Sequence, residues 1–159
     1  MYFGRRNSIC SSINTGASAA HSGANFMNYE ATGSPITGGS IVSPPISLGI
    51  GVDAAELSFW MHAYGANMGT LNVGVGTSAT GPFTTVFTHA GQLQTSGTDP
   101  WTNLGVDLTP FLGQTIYLEF NLSNVINYES DMSIDLVEVS TCQSCLAPTN
   151  LALDFLSAD

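Results

Sequence analysis

Between residues 24 and 140 no apolar stretch keeps a helical period. Instead the chain alternates apolar and polar residues over short runs, and each run is cut by Gly, Pro, Asn or Ser. A period of two places successive side chains on opposite faces of a strand. Eight such runs stand out: Ala24–Glu30, Gly39–Val42, Ala55–Tyr64, Thr70–Val75, Phe83–Thr88, Trp101–Asp107, Thr115–Asn121 and Met132–Ser140. Leu108–Gly113 reads as a loop or a short turn of helix. Many short strands with turn signals between them predict an all-β fold, a β-sandwich of two antiparallel sheets. The long, uneven connections favour a jelly roll. Thr70–Val75 is expected to pair with Ala55–Tyr64 as a hairpin around GANMG.

The 159 residues suit one domain with a fragment of a second. Two arginines and no lysine stand against twelve acidic residues, for a net charge of −10. That balance excludes a basic nucleic-acid footprint and disfavours anionic membranes. No run of apolar residues is long enough for a membrane-crossing helix. Residues 1–10 lack the apolar core of a secretion signal, so secretion is expected to be specified outside this chain or lost by trimming.

Cys10 and Cys142 bracket the patterned region. A bridge between them would close a loop of about 130 residues, worth about 4–5 kcal/mol in loop entropy, and would imply an oxidising compartment. Cys145 is left over; a Cys142–Cys145 redox pair is the alternative. Residues 1–9 read as a disordered leader and 10–142 as the sandwich. Residues 143–159 read as a linker plus the first strand of a truncated second domain, or else as a tail strand of the same domain.

Catalytic signatures are absent: there is no GxSxG elbow and no HExxH. Glu119, Glu129 and Asp131 have nothing in the sequence that pairs them as a glycosidase would require. Two binding constellations remain. If Leu57, Phe59, Met61 and Ala63 face the core, then Trp60, His62 and Tyr64 face outward. With Asn67 at the following corner and Trp101 in a loop, they offer aromatic faces and hydrogen-bonding groups for sugars. Glu30 ends an early strand, Asn28 lies two residues before it, and Asp131 and Asp135 flank the closing strand. In a jelly roll first and last strands pair, so these four are candidate ligands of a structural calcium ion.

LSFWMHAYGANMGTLNVGV, TDPWTNLGVDLTPFLGQTIYLEF and YESDMSIDLVEVSTC, in that order, resemble a bacterial MAM domain. TGASAAHSGANFMNYEATG is similar to the early segment of that family, though Ala20 stands where an acidic residue is common. CLAPTNLALDF resembles the opening of a fibronectin type III domain. The resemblance implies a noncatalytic module of a secreted or cell-surface bacterial protein, with a polysaccharide or surface glycan as partner and a cation site. The alternative it implies is protein–protein adhesion or oligomerisation.

Overall fold

The computed structural model describes the backbone of residues 3–6 and all of residues 12–33 and 37–143. Ten strands occur among the described residues: β1 Phe3–Arg6, β2 Phe26–Tyr29, β3 Gly39–Val42, β4 Ile46–Ser47, β5 Ala54–Ala63, β6 Thr70–Gly76, β7 Thr84–Ala90, β8 Thr102–Asp107, β9 Thr115–Ser123 and β10 Met132–Cys142. Short 3₁₀ turns cover Thr109–Phe111 and Tyr128–Ser130. One sheet has the order β1-β2-β10-β5-β8; the other has β3-β9-β6-β7, with β4 also on β9. All pairings are antiparallel. Six of the nine connections between consecutive described strands cross from one sheet to the other, and the early strand β2 pairs with the last, β10, which makes this the predicted jelly-roll sandwich.

The core follows from the alternation. Leu57, Phe59, Met61 and Ala63 of β5 are fully buried, as are Leu71 and Val73 of β6 and Ile116 of β9. The Phe59 ring meets Phe87 and Phe120 of the opposite sheet edge-on, with centroids 5.7 and 5.4 Å away.

The expected hairpin does not form. β5 pairs with β10 and β8, whereas β6 pairs with β7 and β9. The segment after β5 crosses from one sheet to the other. Alternation reports which face of a strand is buried, not which strand lies beside it. Gly65 makes the crossing possible: it sits at φ 156°, and a Cβ there would collide with the Glu129 carbonyl oxygen. Gly65→Ala is expected to cost more than about 2 kcal/mol, read as a lower midpoint in urea unfolding.

A further difference concerns the N-terminal region. Phe3–Arg6, inside the segment expected to be disordered, pairs with β2 through four residues. Its alternation is too short to stand out from sequence, and pairing supplies what local pattern does not. Cys142 is exposed at the end of β10; Cys10 and residues 144–159 lie outside the described residues, so the proposed bridge and the second-domain strand do too.

Candidate functional site

β5 presents Trp60 on the face opposite the core, between Asn103 of β8 and Asp135 of β10. Two loops cover that face. The loop before β2 lays His21 flat on Trp60, with centroids 3.7 Å apart and planes 15° off parallel. The loop before β8 delivers Trp101, whose Nε1 donates to the Ala19 carbonyl at 3.2 Å. Phe26 meets Trp101 edge-on at 5.7 Å. Ser18, His21, Trp60, Thr98, Asp99 and Trp101 thus line an open pocket of about 540 Å³. The chain has two tryptophans, and both are here.

The walls are held before any ligand arrives. Gln94, buried, accepts from the Ala63 N–H at 2.7 Å and donates to the Pro100 carbonyl and the Thr102 hydroxyl, each at 3.1 Å. Asp99 accepts from the N–H and hydroxyl of both Thr95 and Ser96 over 2.7–2.9 Å. The Ser96 hydroxyl, then the Thr95 groups, hold the Asp99 carboxyl down to about 2. The Ser18 N–H donates to the Gly97 carbonyl at 2.8 Å and ties the two loops together. Such walls lose little freedom on binding, which favours affinity.

The sequence-predicted aromatic row is therefore split. Trp60 and Trp101 come together in the pocket. His62, expected to face outward into a ligand, is fully buried beneath the Trp101 loop, 5.5 Å from the Trp101 ring. Tyr64 and Asn67 lie outside the pocket lining. Asn67 instead donates its amide to Glu129. Loop coverage, which alternation cannot show, decides the place of His62. His21, Gln94 and Asp99 carry no signal in the sequence that singles them out.

Burial pushes the His62 imidazole down to about 4, against smaller upward pulls from Asp99 and the Ser96 and Asp99 backbone. The unfolded chain takes this proton near 6.5, so it binds more protons than the folded one between those values. Stability is then full above pH 6.5 and falls as the pH drops towards 4. The loss is expected to be about 2 kcal/mol, below what the full shift would give because solvent screens part of the charge. Chemical denaturation at pH 7 and pH 4 reads it as a difference that His62→Gln removes.

The four candidate cation ligands also divide. β2 and β10 pair as expected, Met132 opposite Tyr29. This brings Glu30, just after β2, to Asp131, just before β10. The Ala31 N–H donates to Asp131 Oδ1 at 2.7 Å. Asp131 is fully buried, and its Oδ2 has no hydrogen-bond donor. Burial, then the Glu30 charge, pushes its carboxyl up to about 7. Hydroxyls stand close by: Ser12 is 3.4 Å from Glu30 Oε1 and 2.8 Å from the Thr32 hydroxyl, and Thr15 accepts from the Asp131 N–H at 3.2 Å. Asn28 is instead taken by the Ser133 hydroxyl at 2.8 Å. Asp135 accepts from the Ser22 N–H at 3.0 Å. Four residues along a strand separate Asp135 from Asp131 by about 13 Å, too far to share one ion. Among the described residues no group of three or more His, Cys, Asp or Glu comes together.

No family model matches the chain. Solved structures do. A cleaved adhesin domain of Lys-gingipain (Kgp) from Porphyromonas gingivalis is 16% identical, with a TM-score of 0.58 over 87% of this chain and 89% of that one. Another cleaved adhesin domain of Lys-gingipain is 17% identical, with a TM-score of 0.60 over 87% and 82%. The Stig cyclase Fisc from Fischerella sp. TAU, in complex with an indole compound, is 13% identical, with a TM-score of 0.51 over 89% and 75%. At these identities the likeness shows the β-sandwich fold. Adhesin and cyclase share it, so the function has to be argued from the site.

Proposed function

We propose that this chain is a noncatalytic recognition and adhesion module of a secreted bacterial protein, of the MAM kind, and that its ligand is a polysaccharide. The observation that carries the reading is the meeting of both tryptophans and His21 in one open pocket with preset walls. Ring faces pack on the C–H surfaces of a sugar through many small dispersion contacts, while Ser18 and Thr98 offer hydroxyls to its own. His21 already covers one face of Trp60, so direct contact falls to Trp101 and His21, and Trp60 is the platform behind them. The fold shared with cleaved adhesin domains of Lys-gingipain supports the same class of role.

The reading includes a structural calcium ion at Glu30 and Asp131. Two adjacent carboxylates, one with an orphaned buried oxygen, and several hydroxyls form the hard oxygen set this ion prefers. The ion would neutralise charge where β2 and the last strand, β10, meet. It would pin the fold and take no part in the sugar contact.

Affinity electrophoresis through gels cast with soluble polysaccharides tests the reading. Retardation by one polymer, lost in Trp101→Ala but kept in Tyr128→Ala, an exposed residue outside the pocket lining, supports it. Migration unchanged by every polymer counts against it and in favour of a protein partner.

A further inference from the structure

β10 is paired on both sides only at its start. β2 pairs with Met132–Ile134, and from Asp135 onward β5 is the single partner among the described residues. A bulge lies at this point, between Asp135 and Glu138, with Leu136 at φ 44°. That is a left-handed conformation a bulky residue rarely adopts. The Asp135 carboxylate holds the bend by accepting from the Leu136 N–H at 2.8 Å and the Ser22 N–H at 3.0 Å. The bend turns the rest of β10 away from β2. An apolar groove of about 570 Å³ opens there, walled by Met27, Ile41, Ile46, Phe120, Val137 and Val139. Leu136 is 50% exposed, and Val42 and Val137 are each 38% exposed at its rim. A free strand edge beside an apolar groove is a place where another strand adds.

We propose that residues 151–156 of the same chain, LALDFL, add as a strand to the free edge of β10 and bury Leu151, Leu153 and Phe155 in the groove. This takes the second reading of residues 143–159, a tail strand of the same domain. The described chain leaves β10 at Gln143, at the end of that edge. Residues 143–150, QSCLAPTN, contain Pro148 and Asn150, which suit a turn back. An antiparallel return then sets Leu151, Leu153 and Phe155 opposite Thr141, Val139 and Val137. Directly opposite residues share a face, so the three apolar side chains enter the groove while Ala152 and Asp154 face out. The segment is tethered, so its effective concentration is about millimolar. A second copy would bring a net charge of −10 against −10, which opposes pairing of two such edges.

Hydrogen exchange tests this on the full chain, on a chain ending at Gln143, and on full-length Phe155→Asp. The amides of Leu136–Thr141 that point away from β5 are expected to exchange at least tenfold faster in both altered proteins. Amides of Leu104–Val106, on β8, serve as the reference and stay unchanged. Adding the peptide NLALDFLSAD to the shortened chain is expected to restore the protection. Equal exchange in all three proteins overturns the proposal. Protection that rises with protein concentration and survives Phe155→Asp also overturns it, because the edge then belongs to a second copy. If the shortened chain does not fold, Phe155→Asp decides alone.

Discussion

Removing divalent cations with a chelator at pH 8 is expected to lower the melting temperature by about 5–10 °C, and millimolar calcium to restore it. Without a cation, the buried Asp131 carboxylate must ionise beside Glu30 as the pH passes about 7, and its Oδ2 has no donor to replace water. A cation bound to the folded state and not to the unfolded chain adds RT ln(1 + [L]/Kd), about 2.7 kcal/mol at a hundredfold excess over Kd. For a domain of this size each kcal/mol moves the midpoint by about 2–4 °C. Asp131→Asn keeps an oxygen for the Ala31 N–H but removes the charge. It should abolish the calcium increment while melting in chelator no lower than the unaltered protein. Identical melting with chelator and with calcium would remove the ion from the account.

The other large effect is expected at Phe59. Truncation to Ala deletes a fully buried ring that touches Phe87 and Phe120 edge-on across the sandwich. Lost transfer energy, the cavity left behind and two lost ring pairs together cost about 3–5 kcal/mol. Phe59→Leu, which fills most of the space, should cost less than half of that. Urea unfolding of the two variants measures both. A Phe59→Ala loss below about 1 kcal/mol would mean that the two sheets do not close on each other here.

Phe59 also shows why the fold was legible. Its place in LSFWMHA puts it in phase with Leu57, Met61 and Ala63, and all four are buried. Where the pattern is long and two-sided, as in β5, β9 and β10, sequence places the strands to within a few residues. Its limit is partnership. β5 and β6 both present one apolar face, and that is equally true of a hairpin and of two strands in opposite sheets. Very short pieces were missed for another reason: β4, Ile46–Ser47, follows Pro44 and Pro45 and has no room for a period. The candidate site was half legible. Trp60 and Trp101 stand 41 positions apart, and only the fold brings them together, through the pairing of β5 with β8. His62 shares the outward phase of Trp60, yet it ends under the loop that Gln94 and Asp99 fix. Glu30 and Asp131 followed from the rule that first and last strands pair, whereas Asp135 has the right phase but sits too far along the strand.

A polysaccharide is expected to be recognised in the pocket of Trp60, His21 and Trp101. Because the chain's two tryptophans both line it, their fluorescence reports on that pocket and nowhere else. Titration with the soluble polysaccharide that retards the protein should shift the emission saturably to shorter wavelength, as sugar displaces water from the indoles. Trp101→Ala should weaken the half-point at least tenfold. A polymer that binds, by retardation, and leaves the emission unchanged would place recognition elsewhere on the molecule and contradict the account.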